Sequence, residues 1–257
     1  MPKIKNLFFI LSLLFLFINC VKKEKDKDIL FQTSTINALL EGIYDGTFNL
    51  KDLKQHGDLG LGTFNSLDGE MLMFEGVIYQ VKADGKVYKI ADSMKTPFSV
   101  VTFFEEDKII SLDTTLDYKS MEEFIDKNLP TKNIIYAIRI EGLFKYVRTR
   151  SVPAQGKPYL PLAEVVKNQP EFEFHNVEGT LVGFRIPEYL NGINVPGYHL
   201  HFITEDKEGG GHLLECETVK IKIAIDFTEK LFLSLPETKE FYAADLLEEK
   251  DLKSVER

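Results

Sequence analysis

The chain has 257 residues, 44% of them hydrophobic, which is enough to bury a sizeable core as one large domain or two lobes and too much for a disordered chain. A formal net charge of −9, with no basic patch carrying interleaved aromatics, excludes nucleic acid as a partner, because phosphate recognition needs a basic surface. The two cysteines, Cys20 and Cys216, exclude a disulfide framework.

The N-terminus reads as a processing signal. Lys3 and Lys5 precede an apolar run, Leu7 to Ile18, broken only by Ser12 and followed by Asn19 and Cys20. The run is too short to span a bilayer comfortably. Phe17-Ile-Asn-Cys20 resembles a bacterial lipobox, so residues 1–19 are expected to be removed and Cys20 lipidated. Residues 20–30 would then be a charged tether holding the protein at the periplasmic or extracellular face of a bacterial membrane. An ordinary secretory signal cut nearby, or an uncleaved anchor, is the alternative.

In the folded part, Thr33-Ser34 can cap a helix over 35–44, with Ile36, Leu39, Leu40 and Ile43 spaced by three and four and Asp45-Gly46 stopping it. Residues 50–57 suggest a helical turn leading to an exposed His56. Residues 57–81 read as strands turning at Asp68-Gly69, and 77–90 as a second hairpin turning at Asp84-Gly85. The glycines at 57, 60 and 62 are not a phosphate loop, since no helix with a following Lys-Ser/Thr appears. A strand over 98–104, a helix over 116–129 ended by Pro130, and a half-buried strand over 134–144 follow. The continuation carries Arg148 and Arg150 on one face. Residues 162–168 form a short helix, and 172–184 alternate as a strand, with a lone His175 and a turn near Glu178-Gly179. The loop 187–197 delivers the chain to strands over 198–204, 211–216, 219–227 and 232–235. The first return strand holds Cys216 as a buried, inert thiol. A charged tail from Tyr242 includes a helix and carries Glu248, Glu249 and Glu256. The class is α+β, β-rich with a few helices.

Three of the five histidines fall between positions 199 and 212. His199 and His201 are two apart on a strand and share a face. If Thr204 sits opposite Gly211, His212 pairs with position 203, on that same face and roughly 7 Å from His201 along the diagonal. A one-residue slip would send it to the other face. His-x-His alone is more often a pair of surface or core side chains, so the returning third histidine is what suggests a metal site. Three neutral imidazoles without cysteine suit Zn²⁺ and leave a fourth position for water or substrate. Iron, copper, nickel and manganese are also compatible.

Asp68-Gly-Glu-Met-Leu72, Ile138-Arg-Ile-Glu-Gly-Leu-Phe144 followed by Arg148-Thr-Arg150, Glu178-Gly-Thr-Leu-Val-Gly-Phe-Arg185 and Val195-Pro-Gly-Tyr-His-Leu-His-Phe-Ile203 occur in that order. Together they make the chain resemble the α-acetolactate decarboxylase family over residues 31–257. The resemblance implies a zinc enzyme, usually a homodimer, built of two lobes of mixed sheet with the metal site on a β-hairpin between them. It implies conversion of 2-acetolactate to acetoin and CO₂ through a metal-stabilised enediolate that is protonated on one face. His199, His201 and His212 match the zinc ligands, Glu70 an active-site glutamate, and Arg150 the arginine that orients the carboxylate. Thr63 is placed beside the metal. Glu256 is matched to a glutamate of the C-terminal tail, with Glu248 or Glu249 as alternatives, and Glu70 or Glu256 donates the proton.

Two other readings compete. An exported metal-binding lipoprotein without catalysis would fill the fourth position with Glu205, Asp206 or Glu215. A cupin-like iron dioxygenase is disfavoured by the short return from His201 to His212. Export itself is in tension with an intracellular substrate, so leaked acetolactate or a related branched 2-hydroxy-3-keto acid enters consideration.

Overall fold

A computed structural model describes residues 27–247 together with Leu252 and Val255. The signal, the lipobox and most of the tether lie outside the described residues. In chain order the elements are β1 (Ile29–Thr33), α1 (Ile36–Leu40), β2 (Phe48–Asn49), α2 (Leu50–Leu53), β3 (Leu59–Thr63), β4 (Glu70–Phe74), β5 (Val77–Val81), β6 (Val87–Lys89), β7 (Lys95–Thr96), β8 (Ser99–Thr102) and β9 (Lys108–Leu112). They continue with α3 (Tyr118–Asn128), β10 (Ile135–Arg150), α4 (Leu162–Val165), β11 (Glu171–Ile186), β12 (Gly197–Thr204), β13 (Gly210–Thr228), β14 (Lys230–Ser234) and α5 (Lys239–Ala243).

Seven strands form a mixed sheet in the order β14-β1-β8-β3-β4-β5-β6, antiparallel except for the parallel pair β1–β14. Alternation along these strands sorts the side chains onto two faces. Met71, Met73, Ile78 and Val101 pack with Leu50 and Leu53 of α2. Leu59, Leu61, Leu72, Tyr79 and Val100 face the other way, toward the second sheet. Each fully buried aliphatic or aromatic side chain of this kind contributes about 2 kcal/mol.

The second sheet runs β10-β11-β12-β13-β9, and β10 also pairs with β13, so its four long strands close on themselves. One face gathers Ile138, Ile140, Leu181, Leu200, Phe202, Ile223 and Ile225 around Met121 and Ile125 of α3. The other turns Ala137, Val182, Phe184 and Ile203 toward the first sheet. The β-rich α+β expectation with few helices holds; the first sheet is mixed as expected, while the second is antiparallel throughout.

Several expected boundaries move. Thr35, not Thr33-Ser34, caps α1: its hydroxyl accepts from Ala38 N at 3.3 Å. The helix stops at Glu41-Gly42, where Gly42 has φ +82°, before Asp45-Gly46 is reached. Leu40 already completes the buried face, and a left-handed glycine ends a helix readily. Glu178-Gly179 is no turn, because β11 runs unbroken past it and the left-handed residue is Asn176 (φ +49°). The separate strands expected over 211–216 and 219–227 are one strand of 19 residues, β13. The turns at Asp68-Gly69 and Asp84-Gly85 appear as expected, with Gly69 at φ +84° and Gly85 at φ +78°, conformations glycine adopts without strain. The strands β1, β2, β7 and β9 escaped the pattern, and β1 begins at Ile29, inside the stretch read as tether.

Candidate metal centre and active site

The hairpin β12–β13 pairs His201 with His212, Phe202 with Gly211 and Ile203 with Gly210. His212 therefore sits opposite 201 rather than 203. The offset of two residues leaves every side chain on its expected face, since the period is two. The cause is the connection, which Thr204 draws tight. Thr204 N donates to Gly209 O at 2.9 Å. Its hydroxyl donates to Asp206 Oδ1 at 2.6 Å and accepts from Gly209 N at 3.1 Å. A loop of 205–208 results, shorter than the 205–210 expected.

The ring centroids of His199 and His201 lie 5.2 Å apart, of His199 and His212 5.0 Å, and of His201 and His212 5.4 Å. All three rings are buried, and one nitrogen from each falls within 4.8 Å of the others, so the trio could hold a metal ion. Cross-strand pairing puts His201 on one side of His212 and Arg150 of β10 on the other. The closure of the second sheet brings these three into one row.

The first sheet supplies the opposite wall. Met71 O receives the Nδ1 proton of His201 at 2.8 Å, which leaves Nε2 as the lone-pair nitrogen. That Nε2 is buried with no hydrogen-bond partner and lies 3.5 Å from Glu70 Oε2. A ring steadied through one nitrogen and bare at the other is what a metal-ligating histidine requires. Burial, and then the positive charge of Arg150, pushes His199 down to about 3. Burial lowers His201 as well, reinforced by His199. Both rings are neutral at pH 7, the state in which imidazole binds a metal.

Thr63 and Glu70 face each other across β3 and β4. The Thr63 hydroxyl donates to Gly69 O at 2.7 Å, so toward the cavity it offers a lone pair rather than a proton. Arg150 is 4% exposed; its Nη1 donates to Gln169 Oε1 at 2.6 Å and its Nη2 to the carbonyl of Val255. Thr63, Glu70, Arg150, His199, His201 and His212 line one cavity, with Leu67, Phe98, Val152 and Leu162 as apolar wall. Six of the residues singled out from the sequence thus meet at one point between the sheets.

Glu256, Glu248 and Glu249 lie outside the described residues. Their neighbour Val255 is buried at 2% exposure and packs in the core beside the cavity. The carboxylates proposed to close the fourth position are elsewhere. Asp206 is occupied in the hairpin loop, Glu215 is paired with Arg148 at 2.7 Å, and Glu205 is exposed at the hairpin tip. None lines the cavity, so the non-catalytic reading loses the three fourth ligands it named. His56 stacks on Phe31 at 3.8 Å, His175 lies beside Tyr146 at the surface, and burial raises the Cys216 thiol to about 12. Sequence reasoning missed Met71 O and Val255 O, because a backbone carbonyl leaves no trace in residue type. It also missed Gln169, which stands in no motif.

The sequence model of the family described as Alpha-acetolactate decarboxylase matches residues 30–248. The alpha-acetolactate decarboxylase of Methanosarcina mazei is 50% identical over 232 residues, covering 90% of this chain and 81% of that relative. That of Methylococcus capsulatus is 47% identical over 221 residues, covering 86% of this chain and 85% of the relative. The crystal structure of alpha-acetolactate decarboxylase from Bacillus subtilis strain 168 superposes with a TM-score of 0.87 at 43% identity, covering 89% of this chain and 99% of that one. Matched along nearly its whole folded length in both sequence and architecture, the chain belongs to the alpha-acetolactate decarboxylase family.

Proposed function

We propose that the protein is a zinc-dependent carboxy-lyase that converts 2-acetolactate to acetoin and CO₂. The observation that carries the reading is the shared cavity. Three buried imidazoles, one buried guanidinium and one carboxyl group line the same enclosed space. The donor set fits a divalent ion, because His201 Nε2 is aimed there without a hydrogen-bond partner and all three rings are held buried. Three nitrogen donors and no thiolate suit zinc with an open position. When bound, zinc supplies positive charge to the ketone and hydroxyl oxygens of the substrate.

The chain's own residues supply the rest. Arg150 receives the carboxylate and orients the bond that breaks. A tight ion pair also stabilises the ground state, so this contact serves positioning more than turnover. The bond between the carboxyl carbon and C2 breaks, CO₂ leaves, and its electron pair moves toward the neighbouring ketone oxygen. A proton then adds to C2 and gives acetoin. Glu70, in the cavity and 3.5 Å from His201 Nε2, is the proposed donor, with Glu256 of the tail as the alternative. Thr63 accepts a hydrogen bond from the substrate hydroxyl. The apolar wall and Val255 exclude water from the developing charge.

The same proposal keeps the export reading, supported by Lys3, Lys5, the run Leu7 to Ile18 and Cys20. Loss of membrane association in Cys20→Ser tests it. It also includes a homodimer, supported by the apolar Leu231, Phe232 and Leu235 exposed along and just beyond edge strand β14. Light scattering gives the mass directly. The central experiment incubates the soluble form beginning after Cys20 with zinc and racemic acetolactate. Acetoin and CO₂ should appear in equal amounts, vanish on chelation and return with zinc. Absence of acetoin from zinc-loaded, folded protein would contradict the reading.

A further inference from the structure

Four arginines lie among the described residues, and three of them are neutralised by carboxylates. Arg139 pairs with Glu106 and Glu141, Arg148 with Glu171 at 2.6 Å and Glu215 at 2.7 Å, and Arg185 with Asp126 at 3.1 Å. Arg150 forms no ion pair with a described residue. Its two recorded acceptors are the amide oxygen of Gln169 and the backbone carbonyl of Val255, both neutral. Its Nε is buried without a hydrogen-bond partner. Removing a cation from water without a counterion is costly, so the fold keeps this one by giving it neutral acceptors rather than an acid. No described acid pairs with its charge, which is felt by His199 and His201 across the cavity.

We propose that Gln169 is a positioning residue of the site: with the Val255 carbonyl it holds the Arg150 guanidinium in place while leaving its full charge available to an incoming carboxylate. Gln169 follows the turn at Val166–Asn168 and precedes β11; it does not line the cavity, so it acts only through Arg150. The residue type matters for a physical reason. A glutamate of the same shape would keep the hydrogen bond, even strengthen it, but would occupy the cation as an internal counterion. The substrate would then have to displace that carboxylate. The inference rests on the decarboxylase reading for the identity of the anion, but not for its existence.

Two variants separate the charge from the hold. Gln169→Glu retains the acceptor and adds a charge; Gln169→Met removes the acceptor and adds none. The zinc-loaded protein is assayed for acetoin and titrated calorimetrically with 2-hydroxy-2-methylpropanoate, a 2-hydroxy acid with no ketone and therefore no reaction. Gln169→Glu should weaken probe binding and raise KM by about tenfold or more while kcat stays within about threefold. Gln169→Met should lower kcat, since an unheld guanidinium misplaces the carboxylate, and should weaken probe binding less than the glutamate does. A purely structural role for Gln169 gives the reverse order, with the glutamate the milder change. That order overturns the proposal, as does a Gln169→Glu protein that binds the probe as tightly as wild type or a wild-type protein that fails to bind it. Should the wild type bind the probe but make no acetoin, the decarboxylase reading fails while the titration still decides the role of Gln169.

Discussion

Two buried ionisable groups lie on a single transverse row of the curled sheet, and they have opposite fates. Asp226 of β13 pairs with Ala137, Ala137 with Phe184, and Phe184 with His199 of β12. Both ends of the row are dry, with His199 8% and Asp226 1% exposed. Burial drives each toward neutrality, lowering His199 to about 3 and raising Asp226 to about 7. At the histidine end, neutral nitrogens converge with a guanidinium and a carboxyl group on one cavity. At the other end, Glu105 N donates to Asp226 Oδ2 at 3.1 Å, Oδ1 has no hydrogen-bond partner, and the charged neighbours Asp107, Asp28 and Glu105 are all acidic. Burial alone perturbs a group; only convergence of complementary donors makes a site. Asp226 is strain on the fold, and His199 is part of a tool.

Substitutions should widen or narrow that contrast. His201→Ala removes a proposed metal ligand and its anchor to Met71 O. With the ion's charge worth several kcal/mol, kcat/KM should fall on the order of 10³-fold, and bound zinc, read by mass spectrometry, should drop with it. Glu70→Gln keeps the shape and removes the proposed proton donor; acetoin formation should slow by roughly 10²-fold or more while zinc stays bound. Arg150→Ala should cost about 10²-fold in kcat/KM, through both KM and kcat, again with the metal retained.

At the other end of the row the effect is on stability, not activity. The folded-state value of Asp226 lies above its ordinary 3.8, at about 7. Its preference for the protonated form therefore favours folding fully below about pH 3.8 and is lost as pH rises through about 7. Asn stands in for the protonated acid at every pH. Asp226→Asn should raise Tm at pH 8, change it little at pH 4, and leave kcat alone; thermal scans at the two pH values check this. The smallest effect belongs to Arg148→Ala, which breaks partly exposed ion pairs worth about 0–1 kcal/mol and should leave KM unchanged, in contrast to its neighbour two residues along.

Much of this was legible in the chain because its information is carried by side-chain identity and period. His199, His201 and His212 announce themselves as a trio, and their common face survived an error of two in the register because alternation is blind to even shifts. Asp68-Gly-Glu70 and Arg150 were found through ordered motifs. What stayed hidden follows a different logic. β1 and β9 draw their stability from neighbours far along the chain, so Ile29 and Leu30 read as the end of a charged tether until β8 and β14 flank β1. Met71 O and Val255 O act through the backbone. Gln169 matters only because Arg150 reaches it from another strand.

The most direct test is anomalous diffraction at the zinc absorption edge from crystals of the zinc-loaded protein. The account predicts one strong peak bonded to a nitrogen of each of His199, His201 and His212, with water or a soaked 2-hydroxy acid completing the coordination. No peak between those rings, or a fourth protein side chain closing the coordination sphere, would contradict it.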